Sequence, residues 1–219
     1  MNEESRRIEA LRLYAVLDTA TEQAFDDLTR LAANICQKPI SLVSLVDKER
    51  QWFKSRHGLD ATETPRDHAF CAHTIQSDKI MVVEDAHNDR RFASNPLVTG
   101  SPNIRFYAGA PLIVEDGQRL GTLCVIGRKP AKLSEGQIET LRVLGEAVVA
   151  QLELRKVQHD LRALEHLVPV CAWCQSVRVI DAGGGASWVP LGEYIHATVP
   201  ETHGICPDCS GIHGVKPQA

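Results

Sequence analysis

Apolar residues recur along this chain with two different periods, and the switches between them mark its elements. From Ser5 to Leu17 the pattern is helical, with Ile8, Leu11 and Ala15 on one side. Asp18-Thr-Ala-Thr21 interrupts it. Thr21 is placed to cap a second helix reaching Cys36, where Phe25, Leu28, Ala32 and Ile35 fall at helical spacing. Lys38-Pro39 stops that pattern, and Ile40 to Asp47 reads as a β-branched, apolar strand. After a Lys48-Glu-Arg50 turn a second strand covers Gln51 to Arg56, with Trp52 and Phe53 on opposite faces. The middle is mixed: a short helix over Ala69 to Gln76, a short strand over Ile80 to Val83, and a loop from Phe92 to Ser101. Phe106 to Val114 and Arg119 to Ile126 are strands joined by Glu115-Asp-Gly-Gln118, whose Asp-Gly is a hairpin signal.

Ser134 caps a long helix, with Gln137 at the reciprocal capping-box position. Two apolar stripes run along it. Ile138, Leu141, Val148 and Leu152 suit packing on a sheet. Val143, Ala147, Ala150, Leu154, Val157, Leu161, Leu164 and Val168 form a 3-4 repeat, the seam of a coiled coil, and this favours a parallel homodimer. Pro169 ends the helix. A meander of antiparallel strands with helices at both ends implies an α+β fold.

Composition narrows the function. Formal net charge is −4, the isoelectric point is near 6.1, and no Lys/Arg cluster stands out. Binding to a phosphate backbone needs a basic stripe, so nucleic acid is not an expected partner. No apolar run approaches the length of a membrane span, and no signal peptide opens the chain. A cytoplasmic, reduced location is expected.

Four of the seven cysteines form two CxxC turns, Cys171-Ala-Trp-Cys174 and Cys206-Pro-Asp-Cys209, with positions 175 to 205 between them. Each turn sets two thiolates on one side of a tight loop, and two such turns supply the ligands of a tetrahedral structural zinc. His203, three residues before Cys206, could replace one thiolate. A closed ligand set leaves no position for a catalytic water, so such a zinc would be architectural. Redox use of the CxxC pairs is the competing reading, but neither pair sits in a βαβ context.

The middle of the chain resembles the GAF domain family of bacterial signalling proteins. The resemblance rests on Thr64-Pro-Arg-Asp67, Phe70-Cys-Ala-His-Thr-Ile75, Asp89-Arg-Arg-Phe92 with Asn95-Pro-Leu-Val98, Ile104-Arg-Phe-Tyr-Ala-Gly-Ala-Pro-Leu112 and Gly121-Thr-Leu-Cys-Val125, and covers about residues 8–155. It implies a central antiparallel sheet, with terminal helices on one face and a small-molecule pocket enclosed by loops on the other. It also implies dimerisation through flanking helices and regulation of an attached output module. No kinase, cyclase or DNA-binding motif follows in this sequence. The tail is similar to a short cysteine module appended to bacterial sensor and receiver proteins, on Cys171 to Cys174, Trp188-Val-Pro-Leu191 and His203 to Cys209.

The expected organisation is a GAF-like sensor domain over 1–155, a dimerisation helix over 134–168 that overlaps it, and a four-cysteine module over 169–219. Arg66, Asp67, Phe70, Cys71, His73, Asp85, Arg91, Arg105 and Tyr107 are the expected ligand-binding residues. Arg105 opens a buried-looking strand and needs a partner such as Asp85 or a ligand carboxylate. Cys71 and His73 stand two apart on a helix and so point in different directions, which makes Cys71 a pocket or core residue rather than a nucleophile. Cys36 and Cys124 read as packed thiols. The expected function is a sensor that binds a small ligand and relays through paired helices to a zinc-stabilised module engaging a partner protein. The alternatives are a redox-active enzyme using Cys71 or Cys124, which needs a reactive thiol with a resolving partner, and a scaffold without a ligand.

Overall fold

A computed structural model of the chain describes residues 2–165, 169–171, 173–180 and 184–198. Helices α1 (Glu3–Leu13) and α2 (Gln23–Cys36) lead into strands β1 (Ile40–Val46), β2 (Arg50–His57) and β3 (Glu63–Pro65). A 3-10 turn at Arg66–His68 and the short helix α3 (Phe70–Thr74) follow. Then come β4 (Met81–Val83), α4 (Pro96–Thr99), β5 (Phe106–Ile113), β6 (Arg119–Gly127) and the long helix α5 (Glu135–Glu165). The six strands form one sheet in the order β3-β2-β1-β6-β5-β4, every pairing antiparallel.

Alternation along these strands sends successive side chains to opposite faces. Val43, Leu45, Ala108, Leu112, Leu123 and Val125 join one buried cluster with Leu11 of α1, Phe25 of α2 and Leu141, Val148 and Leu152 of α5. Leu42, Phe53, Tyr107, Cys124 and Ile126 join a second cluster, covered by Phe70 and Cys71 of α3 and by Phe92, Val98 and Ile104. Trp52 and Phe53 divide between the two, as expected. One face is thus roofed by helices and the other by a short helix and loops.

Local chemistry explains the boundaries. Asn2 caps α1, its side chain accepting from Ser5 N at 2.7 Å. The helix stops at Leu13, four residues before the sequence pattern predicts, and Ala15 and Asp18 take positive φ. The N-cap of α2 is Glu22 rather than Thr21, and its side chain makes no cap bond. That carboxylate instead accepts from Lys54 Nζ at 2.6 Å and Arg155 Nε at 2.8 Å. Lys54 reaches it from a bulge: the β1–β2 register shifts between Val43 and Ser44, leaving Lys54 as the extra residue. The Ser134–Gln137 capping box forms in both directions, at 3.0 and 3.2 Å. The predicted loop at 92–101 contains α4, capped by Asn95.

On α5, Leu141, Val148 and Leu152 are buried and Ile138 is half-buried. Val143, Leu154, Val157 and Leu161 are exposed. No described helix is long and apolar enough to cross a membrane.

The chain divides into two compact units, Met1–Leu161 and Arg162–Ala219. In the second, β7 (Val177–Ile180) and β8 (Ala186–Val189) form an antiparallel pair, followed by α6 (Leu191–Thr198). Cys171 and Cys174 lie in a turn closed by Gln175 N donating to Cys171 O at 2.9 Å, and Trp173 beside them is 97% exposed. Hydrogen bonds from Ser176 and Cys171 bring the exposed Cys174 thiol down to about 7. Cys206, Cys209 and His203 lie outside the described residues.

Candidate functional site

The loop-covered face holds a cavity of about 170 Å³. Its floor is the sheet, through Ile40, Leu42, Phe53 and Ile126, and its roof includes Leu97 and Ile104. Polar groups reach it only through Gln51, Thr64, Ser101, Cys71 and Tyr107. No ionisable carboxylate, imidazole or cationic side chain is among the residues lining it. Most of the wall is hydrocarbon, so an occupant gains chiefly by leaving water.

The polar groups form two short hydrogen-bond networks. Gln51 Nε2 donates to Thr64 Oγ1 at 2.7 Å, and Ser44 Oγ donates to Gln51 Oε1 at 3.1 Å. Thr122 Oγ1 donates to Cys71 Sγ at 3.0 Å. Tyr107 OH reaches Cys71 Sγ at 3.5 Å and shares a 2.8 Å hydrogen bond with Thr74 Oγ1. Register explains this convergence, since Leu42 pairs with Cys124, Ser44 with Thr122 and Tyr107 with Ile126, all facing the loops. Gly109 supplies the space: a Cβ there would lie 2.2 Å from the Tyr107 hydroxyl, so only glycine lets that ring reach Cys71.

Cys71 and Cys124 are both buried, with their sulfurs 4.0 Å apart. Burial opposes ionisation of Cys71, but hydrogen bonding with Cys124, Thr122 and Tyr107 outweighs it and brings the thiol down to about 6. Donation to Cys71 and burial push Cys124 up, so Cys71 is the thiol that loses its proton first.

Of the nine expected ligand residues, Phe70, Cys71 and Tyr107 line the cavity. The others do not: the arginines and Asp85 have partners elsewhere, and Asp67 and His73 are exposed. Arg66 binds Glu4 Oε1 at 2.6 Å and Asp47 O at 3.1 Å, tying the 3-10 turn to α1. Asp67 is exposed. His73 is exposed and stands edge-on to Phe92, 4.9 Å between ring centres. Asp85 accepts from His87 N at 3.1 Å and Asn88 Nδ2 at 2.7 Å, closing its own turn. Arg91 pairs with Asp89 at 2.7 Å and lies over the Phe92 ring. Arg105 donates to the carbonyls of Val98 at 2.8 Å and Ile104 at 3.0 Å rather than to Asp85. It fastens the loop that roofs the cavity. Ser44, Gln51, Thr64 and Thr122 were not among the expected residues. The signal for them was the placement of small polar residues at alternate positions of otherwise apolar strands.

A six-stranded antiparallel sheet with helices on one face and a loop-roofed cavity on the other defines a cavity-bearing α+β module. The chain belongs to the GAF domain family, whose profile matches residues 20–152, and is a GAF domain of the sensor type found in signalling proteins. Over 153 residues it is 39% identical to a cyclic di-GMP phosphodiesterase of Pseudomonas aeruginosa. That match takes in 69% of this chain and 25% of the relative, so the chain spans about a quarter of that curated protein's length. Among solved structures it is similar to the GAF domain of an Acinetobacter phosphoenolpyruvate-protein phosphotransferase, with a TM-score of 0.53, 16% identity, and coverage of 72% of this chain and 96% of that one. It is also similar to a free methionine-R-sulfoxide reductase of Neisseria meningitidis, with a TM-score of 0.51, 18% identity, and coverage of 73% and 95%. At these identities the structural likenesses show the fold alone.

Proposed function

We propose that this chain is a sensor whose loop-covered cavity binds a small, neutral, mostly apolar molecule. The observation that carries this is the hydrocarbon wall of the cavity, broken by a few buried amide, hydroxyl and thiol groups and by no arginine, lysine, histidine or carboxylate. A largely hydrocarbon wall with a few placed polar atoms is the usual composition of a ligand pocket, and about 170 Å³ suits a molecule near the size of a single substituted ring. A cyclic dinucleotide, with two phosphate charges and far greater bulk, does not suit it. The likeness to the Pseudomonas phosphodiesterase is therefore read as a shared sensory module feeding an output, not as a shared substrate.

The relay we propose runs through β6 into α5. Ile126 touches the cavity, and only residues 128–134 separate its strand from the long helix. The exposed stripe of Val143, Leu154, Val157 and Leu161 would pair with a second copy as a parallel coiled coil. An occupant moves this equilibrium only by its difference in affinity for the two helix arrangements. The CxxC turns of the second unit would hold a structural zinc through Cys171, Cys174, Cys206 and Cys209, presenting that unit to a partner protein in the cytoplasm.

A native mass spectrum of the gently purified full chain tests the reading. The expected species is a dimer with one zinc per chain and a further small mass, and Leu42→Phe, which fills the cavity, should lose that mass while keeping dimer and zinc. Loss of nothing in the variant would place the occupant elsewhere. Spin labels on α5 test the relay separately: helix-pair distances that do not change when the released molecule is added back would remove it.

A further inference from the structure

The closeness of Cys71 and Cys124 is not needed for reversible binding, and it gives the cavity a second chemistry. Their sulfurs lie 4.0 Å apart, and closure by about 2 Å would bring them to bonding distance. The two thiols are not equivalent. Cys71 lines the cavity, whereas Cys124 lies behind it on β6, opposite Leu42 and Gly109. Anything entering the cavity meets Cys71 first. Hydroxyl donors from Thr122 and Tyr107 converge on that sulfur. Cys36, the other buried thiol among the described residues, belongs to the helix-covered cluster on the opposite face of the sheet.

We infer that Cys71 and Cys124 form a dithiol site that is oxidised to a disulfide by organic hydroperoxides bound in the loop-covered cavity. The apolar wall takes the carbon skeleton and the O–OH end faces Cys71. The Cys71 thiolate attacks the terminal peroxide oxygen, and the O–O bond breaks. The departing alkoxide leaves as an alcohol, taking up the proton released by Cys71 through the Tyr107 hydroxyl, and Cys71 becomes a sulfenic acid. The Cys124 sulfur then attacks the Cys71 sulfur. The new S–S bond forms as the S–O bond breaks, and hydroxide combines with the Cys124 proton to leave as water. Two thiols are oxidised, one hydroperoxide is reduced, and one equivalent is consumed per chain. The lowered Cys71 and raised Cys124 thiols suit attacking and resolving roles. Closing the bond would draw α3 towards β6 beneath the cavity roof. The inference uses the same cavity as the sensor reading, but it needs neither reversible occupancy nor a helix relay.

The full chain treated with cumene hydroperoxide, and in parallel with hydrogen peroxide, provides the test. After the remaining thiols are alkylated, trypsin leaves Cys71 and Cys124 on different peptides, bounded by Arg66 and Lys79 and by Arg119 and Arg128. The expected product is a cross-link between these two peptides, formed faster with cumene hydroperoxide, with Cys36 alkylated in full. Cys124→Ser should instead accumulate a Cys71 sulfenic acid trapped by dimedone. Cys71→Ser should slow oxidation of Cys124 by at least roughly tenfold. Alkylation of Cys71 and Cys124 in the wild-type chain under conditions that oxidise Cys171 and Cys174 would overturn the proposal. So would oxidation of Cys36 as fast as Cys71, because the reaction would then follow opening of the domain. Either negative result leaves the native-mass test of cavity binding standing.

Discussion

The two faces of the sheet are made from alternate residues of the same strands, yet they are closed in different ways. On the helix-covered face Leu45, Leu112, Leu123 and Val125 meet long side chains from α1, α2 and α5, and the contact is mostly hydrocarbon, crossed by a buried hydrogen bond from Thr29 Oγ1 of α2 to Ser55 Oγ of β2 at 2.8 Å. Charge appears only at its margin, where it clamps elements together. Lys54 and Arg155 meet on Glu22, and Arg155 also donates to the carbonyls of Tyr14 and Ala15. On the loop-covered face the roof is built from short segments that cannot reach the whole sheet, and a cavity remains. Polar groups there are amides, hydroxyls and thiols that lie inside, at the cavity wall. The difference teaches that the hydrophobic period fixes which residues face inward, while the length of the covering elements decides whether that face becomes solid core or container.

This comparison breaks if the two faces respond alike to truncation. Leu123→Ala removes fully packed atoms and should cost about 2–5 kcal/mol in urea unfolding. Leu42→Ala removes atoms that already border empty space and should cost under about 2 kcal/mol. Equal losses would mean that the loop face is as closely packed as the helix face.

The marginal clamp comes next in size. Glu22→Ala leaves the buried Lys54 ammonium with only Thr19 Oγ1 and the Ala20 carbonyl as acceptors. Glu22 is 40% exposed, so water compensates in part, and the expected loss is about 1–3 kcal/mol. Lys54→Met should recover some of that loss in the double variant; no recovery would mean that the clamp does not couple the two residues.

The smallest effect concerns Glu4, which joins α1 to the 3-10 turn. Hydrogen bonding from Arg7, aided by Arg66 and opposed by burial, holds its carboxyl down to about 2 from 4.5. The folded value lies below the unfolded one. The stabilisation is therefore complete above about pH 4.5 and is lost as the pH falls towards 2. With the side chain 41% exposed, it is below about 1 kcal/mol. Comparing acid unfolding of wild type and Glu4→Gln measures it. Curves that stay parallel between pH 6 and pH 2 would contradict it.

Much of the fold was legible because burial imposes a period. The two apolar strands at 40–47 and 106–114, the Asp-Gly hairpin and the Ser134–Gln137 box all follow local rules, and each forms where its residues predict. Thr21 did not cap α2, because the next residue carries a carboxylate that Lys54 and Arg155 require. The charged residues expected at the cavity went elsewhere for one physical reason. Arg66, Arg91 and Arg105 each have carbonyl or carboxylate acceptors within reach, and a charge lining a hydrocarbon cavity would lose its hydration without a partner. The pairing of Cys71 with Cys124 was not legible. The two are 53 positions apart in the chain, and the packing of α3 on β5 and β6 brings them together.

What matters most is that the loop-covered face encloses an apolar cavity within its core. Methyl NMR of the full chain labelled at isoleucine, during titration with benzene, tests it most directly, since an apolar cavity of about 150 Å³ is enough to hold benzene. Saturable shifts are expected at Ile40, Ile104 and Ile126, which line the cavity, with Ile8 of α1 and Ile35 of α2 unmoved. Shifts missing from those three, or spread equally over all five, would contradict it.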